Sequence, residues 1–269
     1  MYDKRNEIGG NIMTYEEKLE QYKDWIFRRS AYQMALAIIG IDKQTVAPSA
    51  GAAYRDERSA YLAGELFSIE TDPEMVQLLK ELKDDPQIDG DNKRAVELYY
   101  KQAMDTMCIP KEEFVAYQKL RDESFDAWIK AKSQSDYSIF EPYLKKIIEV
   151  SKKMYRYRNS DKNLYDQMLD DYEPGMTQEK YDVFFAALKE RLVPLIQKIT
   201  QAKQKNEAFL HQEFPIEDQK KFMTQLLEYL HFDSSWGYQN ESEHPFTSWT
   251  CESTLKMMLF QQYYQQFMK

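Results

Sequence analysis

Apolar side chains recur at helical spacing along most of this chain, and the polar residues between them mark where helices begin and end. Thr14-Tyr15-Glu16-Glu17 is a capping box. Its Thr hydroxyl and Glu carboxylate each satisfy a backbone N–H that the first helical turn leaves unpaired. The helix it opens carries Leu19, Tyr22, Trp25, Ile26, Leu36 and Ile39 near one face and is predicted to end near Gly40. Residues 41–54 read as a loop punctuated by Pro48 and Gly51, followed by a helix from Arg55 to Ile69. Thr71-Asp72-Pro73-Glu74 reads as a second capping box with Pro in the first turn, opening a helix to Lys83. The acidic linker Asp84–Gly90 holds Pro86. Further helices are predicted over 91–106, 110–132 and 136–157, and Tyr172-Glu173-Pro174-Gly175 reads as a turn. Thr177 then caps a long helix with Phe184, Phe185, Leu188, Leu192, Leu195 and Ile199, in which Pro194 should produce a kink. A last helix is predicted over 216–231, and only a weakly marked ribbon near 232–248 departs from helical spacing. The pattern predicts an all-α, multi-helix array.

Composition supports that prediction. Gly is scarce, at 8 of 269 residues, and Gly is the residue that frequent turns require. The 20 Tyr and 14 Phe either fill wide gaps between helices or line a peptide groove. The net charge is −9 and no basic stripe appears, which argues against nucleic acid and anionic membranes as partners. Cys108 and Cys251 lie far apart without metal-like spacing and read as reduced thiols of a cytoplasmic protein. No transmembrane run or signal peptide is visible. Residues 1–13 precede the helical pattern as an extension; either Met13 is the natural start, or the extension is a short ordered or frayed segment.

Few catalytic groups stand out. The three histidines, His211, His231 and His244, include no pair four apart on a helix, so the two-His helical zinc motif is absent. No phosphate-binding Gly loop, nucleophile elbow or catalytic Cys signature occurs. The 45 carboxylates lie mostly on solvated helix faces, and spacing alone selects no catalytic pair among them. No residue is therefore nominated as catalytic or as a metal ligand. His244 draws interest because it precedes Pro245, which biases its backbone toward an extended form and projects it, with Phe246, from a loop. The plainer reading is a packed loop histidine.

Four ordered blocks carry a resemblance. They are Asp42, Thr45, Pro48, Gly51 and Arg55; then Trp128, Ala131, Asp136, Tyr137, Phe140, Pro142 and Leu144; then Tyr165-Asp166 through Asp171-Tyr172-Glu173-Pro174-Gly175-Met176-Thr177; and Ser242-Glu243-His244-Pro245-Phe246-Thr247. In this order and spacing they resemble the N-terminal half of the Taq-type (thermostable carboxypeptidase 1) metallocarboxypeptidases, over residues 14–248. Ile41 stands where the family has Trp, and Lys132 where it has Arg. The resemblance implies the N-terminal part of an all-helical, two-lobed fold with a deep groove, usually dimeric, that removes single C-terminal residues from peptides. It implies zinc or cobalt on a His-Glu-x-x-His helix plus a later Glu, where metal and motif Glu activate water. It places His244, Pro245 and Phe246 beside the substrate groove.

The departures bear on activity. Trp249 stands where the family has Gly, and Thr254-Leu255-Lys256-Met257-Met258 replaces its Asp-x-Arg-x-Thr block. No His-Glu-x-x-His occurs through Lys269. No cofactor is therefore expected in this chain itself, and zinc or cobalt belongs to the full-length family. Residues 249–269 read as a truncated or frame-shifted continuation, or as a divergent helix. A downstream reading frame encoding the metal helix distinguishes the first from the second. Three expectations follow: an inactive N-terminal half with exposed apolar surface that self-associates, a non-catalytic helical module that binds peptides or pairs with a full-length relative, or one partner of a separate chain carrying the metal half.

Overall fold

The computed structural model describes residues 13–158, 160–203, 205–235, 237, 239–244, 246–248 and 258–260. Nine α-helices account for most of the described residues: α1 (Tyr15–Thr45), α2 (Ala52–Glu70), α3 (Pro73–Asp84), α4 (Gly90–Met107), α5 (Lys111–Gln134), α6 (Glu141–Tyr157), α7 (Leu164–Tyr172), α8 (Gln178–Gln201) and α9 (Ile216–Tyr229). Three short strands follow: β1 (Gln239–Asn240), β2 (Phe246–Ser248) and β3 (Met258–Phe260). The all-α expectation holds. Residues 1–12, 249–257 and 261–269, which include most of the extension and tail, lie outside the described residues.

The chain divides into two compact units, one of Met1–Gly40 with Pro48–Tyr143 and one of Ile41–Ala47 with Leu144–Lys269. The first holds a core of Tyr22, Trp25, Leu78, Leu79, Leu82, Ile88 and Val96. Leu79, Leu82 and Val96 are fully buried, at 0% exposure. Their source is helical spacing: α3 presents Val76, Leu79 and Leu82 on one stripe, and burying each such side chain contributes about 1.5–3 kcal/mol. Trp25 ties α1 to this core. Its indole N–H donates to the Ile69 carbonyl at 2.8 Å, and its ring meets Tyr99 edge-on at 5.4 Å. The Arg29 guanidinium lies over Tyr99 and pairs with Glu70 at 2.7 Å. Burial raises the Glu70 pKa despite the opposing attraction of Arg29. Packing of α2 on α5 uses Gly64, where an added Cβ would meet the Val115 side chain at 3.1 Å, and the Phe67 and Phe114 rings, 4.8 Å apart.

The Thr14 capping box forms as expected, with the Thr14 N–H donating to Glu17 at 2.8 Å and the Glu17 N–H to the Thr14 hydroxyl at 3.2 Å. Several boundaries differ from the sequence pattern. The first helix passes Gly40 and ends at Thr45, because Ile41 is buried at 6% exposure. That burial outweighs the roughly 1 kcal/mol cost of a helical Gly. The second capping box is not formed. Asp72 caps α3 by accepting the N–H groups of Glu74 and Met75, while the Thr71 hydroxyl donates back to the Phe67 carbonyl at 2.7 Å and closes α2. The span 136–157 is split: Ser135 turns left-handed at φ 51°, Asp136 accepts the Ser138 N–H, a 3-10 turn covers Tyr137–Ile139, and α6 starts at Glu141. Helix α8 runs through Pro194 without ending.

The strands form one small sheet in the order β1-β3-β2, with β3 parallel to β1 and antiparallel to β2. The weak ribbon is therefore real at 239–240 and 246–248, and the central strand comes from the tail. Residues 258–260 are extended rather than helical, against the divergent-helix reading for that segment.

Leu79→Ala is expected to lower unfolding stability by about 2–5 kcal/mol in urea titration. Phe222→Ala, at a site 54% exposed, is expected to cost well under half of that. Equal losses at both sites would refute the assignment of the core.

Candidate functional site

His244 occupies a bend between β1 and β2, is exposed, and its carbonyl accepts the Ser242 hydroxyl at 2.8 Å. Phe246 opens β2, with its Cα in register with Phe260 of β3. Pro245 lies outside the described residues. The turn is fastened by Lys220 of α9, whose ammonium reaches Glu241 at 2.9 Å. Both side chains are well exposed, so this pair positions more than it stabilises. His211 ends a 3-10 turn, Ala208–His211, and His231 adopts φ 55° just beyond α9. Among the described residues no group of three or more His, Cys, Asp or Glu is arranged to hold a metal ion. The described side chains thus do not fit the metal that the resemblance implies.

The third block builds the most elaborate polar cluster, at the corner between α7 and α8. Asn163 caps α7 by accepting the Asp166 N–H at 2.8 Å, and its amide donates back to the Asp166 carboxylate at 2.7 Å. The same carboxylate accepts the Gln178 N–H at 2.8 Å, so Asp166 is joined to the first turn of α8. Asp170 accepts the Gly175 N–H at 2.9 Å, and the Lys180 ammonium donates to the Gly175 carbonyl at 2.6 Å. Gly175 has φ 88°, a conformation that side-chain-bearing residues rarely adopt. Glu173 accepts the Tyr181 hydroxyl at 2.8 Å, which raises the Tyr181 pKa. On the other side of α7, Arg158 holds Asp171 through two hydrogen bonds of 2.8 Å each, and the Tyr155 hydroxyl donates to Asp171 at 3.1 Å. Burial first, and then the Asp171 charge, push the Tyr155 pKa up to about 12.

This cluster satisfies helix ends and fixes a corner. Sequence reasoning missed α7 and the contributions of Tyr155, Arg158 and Asn163. The available mark was Asn163 followed three residues later by Asp166, a capping pattern with a shorter acid than usual. The second block is also structural. Ala131 is buried, the Lys132 ammonium lies over the Trp128 ring at 5.2 Å, and Asp136 organises the turn after α5. Hydrogen bonds from Ser138 lower the Asp136 pKa.

A cleft of about 360 Å³ in the first unit is lined by residues including Trp25, Arg28, Glu65, Ser68, Asp72 and Met75. Asp72 is engaged as the α3 cap, and Ser68 accepts the Lys111 ammonium at 2.7 Å. No helix among the described residues is long and apolar enough to cross a membrane.

The fold matches solved carboxypeptidase structures. The BsuCP crystal structure superposes with a TM-score of 0.85 at 32% identity, covering 91% of this chain and 50% of that one. A Pyrococcus furiosus carboxypeptidase structure shares the fold with a TM-score of 0.76 at 23% identity, again over 50% of its length. The family model for the carboxypeptidase Taq (M32) metallopeptidases matches residues 21–257, and the chain belongs to this family. It is 35% identical to Carboxypeptidase 1 of Bacillus subtilis over 241 residues, which is 88% of this chain and 47% of that protein. It is 30% identical to Thermostable carboxypeptidase 1 of Thermus thermophilus over 233 residues, 81% of this chain and 46% of that protein. The chain thus spans about half the length of the curated relatives it matches.

Gly175→Ala is expected to cost about 1–2 kcal/mol of stability, because L side chains disfavour this backbone. No heavy atom lies within 4 Å of the added Cβ, so steric clash is not the cause, and Gly175→Asn should cost less. Equal losses for Ala and Asn would refute the strain account. For Tyr155, a folded pKa near 12 against an ordinary 10.0 means that the folded chain keeps its proton while the unfolded chain ionises. Its contribution is intact below pH 10 and is lost as pH rises toward 12. Tyr155→Phe should flatten this alkaline loss in denaturation measured across that range; an unchanged slope would overturn the assignment.

Proposed function

We propose that this chain forms the N-terminal half of an M32-type carboxypeptidase acting on peptide C-termini, and that alone it releases nothing. The observation that carries this reading is the match of 91% of the chain to 50% of the BsuCP structure. The uncovered half of the relatives then supplies the His-Glu-x-x-His helix, its zinc or cobalt, the motif Glu and the groups that grip the substrate carboxylate. The turn carrying His244, Pro245 and Phe246 borders the peptide groove. The exposed position of His244 and its fastening to α9 through Glu241 and Lys220 support a presented role rather than a packed one. The protein works in the cytoplasm, consistent with Cys108 as a reduced thiol that donates to the Asp105 carbonyl. The isolated chain self-associates through apolar surface, and the assembled enzyme is a dimer.

A second reading has support of its own. Phe209, Phe214, Phe222 and Tyr229 are all exposed, which suits a non-catalytic module that binds peptides or pairs with a full-length relative.

The purified 269-residue chain, incubated with zinc or cobalt and a set of unblocked and blocked peptides, is expected to release no C-terminal residue. Equilibrium dialysis should show no tight metal binding. Metal-dependent release by this chain alone would overturn the first reading. Peptide affinity without hydrolysis, abolished by His244→Ala, would favour the second.

A further inference from the structure

The cleft of the first unit has two unlike walls. One is α1, where Gln21, Trp25, Arg28 and Tyr32 recur at intervals of four, three and four and so lie on one helix face. The other is the junction of α2 and α3, which brings Glu65, Ser68, Asp72 and Glu74. Trp25, Ile69 and Met75 supply the apolar part of the lining, with Trp25 only 4% exposed and the other two packed against the core. The two adjacent arginines of α1 are used differently. Arg29 is engaged by Glu70, Gln33 and the Tyr99 ring. Arg28 makes no hydrogen bond or ion pair among the described residues, and neither does the Gln21 amide or the Tyr32 hydroxyl. The Glu74 carboxylate is likewise unpaired among them, and Glu65 meets only the Lys111 ammonium, at 3.7 Å.

An exposed arginine by itself is ordinary solvated surface. Arg28 differs because it shares a small concavity with Glu74 and Glu65 and closes on neither, which leaves a gap between opposite charges. A simple anion entering that gap meets three carboxylates, those of Glu65, Asp72 and Glu74, and a simple cation meets Arg28; each is disfavoured by the like charge. These carboxylates are not arranged to hold a metal ion. The volume of about 360 Å³ lies at the small end of ligand cavities, which suits a ligand of amino-acid size. We propose that this cleft binds a free α-amino acid with an apolar side chain. Its carboxylate meets the planar fork of Arg28, with the Tyr32 hydroxyl and the Gln21 amide as further donors. Its ammonium, a donor only, meets Glu74 and Glu65 on the opposite wall. Its side chain lies against Trp25 and Met75. The proposal concerns binding alone and stands whether or not the chain contributes to peptide hydrolysis.

The test is titration of the 269-residue chain with L-leucine at low ionic strength, followed by calorimetry and by the NMR signal of the Trp25 indole N–H. Saturable binding with a Kd of about 1 mM is expected, with the Trp25 signal shifting along the same curve. N-Acetyl-L-leucine lacks the ammonium and L-leucinamide lacks the carboxylate, and each should bind about tenfold more weakly. Arg28→Gln should weaken L-leucine by about tenfold or more, Arg28→Lys should recover part of the loss, and Arg191→Gln on α8 should change nothing. Glu74→Gln should weaken L-leucine while leaving N-acetyl-L-leucine unchanged, because only the free ammonium is coupled to that carboxylate. Arg28 and Glu74 are exposed, so an unchanged thermal midpoint is expected for their variants. The two ligand analogues probe the same contacts without any substitution. Three results overturn the proposal: no saturable binding of L-leucine, equal affinity for the acetylated or amidated analogue, or full affinity in Arg28→Gln.

Discussion

A helix in water is held chiefly by what its apolar face packs against, and this requirement organises the chain. In the first unit it is met. The stripe on α3 meets Tyr22 and Trp25 of α1 and Val96 of α4, and the three most buried side chains lie at that junction. Trp25 then spends its one polar atom on the Ile69 carbonyl, so a large ring is buried without an unpaired donor. Arg29 follows one turn later on α1 and covers the same aromatic pair while meeting Glu70. Removing either member of that pair would strand a charge among apolar groups, which is why it registers the helices more than it strengthens them.

In the second unit the same requirement is met through polar means at one corner. There α6, α7 and α8 are joined by carboxylates that each satisfy a particular donor: Asp166 takes the Gln178 N–H, Asp170 the Gly175 N–H, and Asp171 the Arg158 guanidinium. These bonds set the direction in which α8 leaves the corner. They leave its apolar residues outside the buried core.

Much of the helical order was legible because it rests on local rules. The Thr14 box and the Thr177 cap each announce a helix with a donor and acceptor a few residues apart, and both form. Other boundaries were decided by contacts that the apolar pattern does not show. Gly40 reads as a stop, but burial of Ile41 carries α1 past it. Thr71 reads as a cap until its hydroxyl is seen bonded backward to Phe67. Helix α7 has nine residues, too few for its period to register, and its partners Tyr155 and Arg158 lie at and just beyond the end of α6. The strand at 258–260 depends on pairing with both 239–240 and 246–248, which no local pattern in the tail reveals. Of the candidate site, the loop character of His244 was legible, whereas its fastening to α9 was not.

The resemblance blocks now have physical meanings, and those meanings are mostly structural. Thr45 bonds the Ile41 carbonyl near the end of α1, Asp136 shapes the exit from α5, and Asp166, Asp170 and Gly175 make the α7–α8 corner. Each residue type follows from a specific backbone demand: a donor at a helix start, a carbonyl near a helix end, or a positive φ. A chain can therefore be recognised as a member of its family through the residues that shape the scaffold.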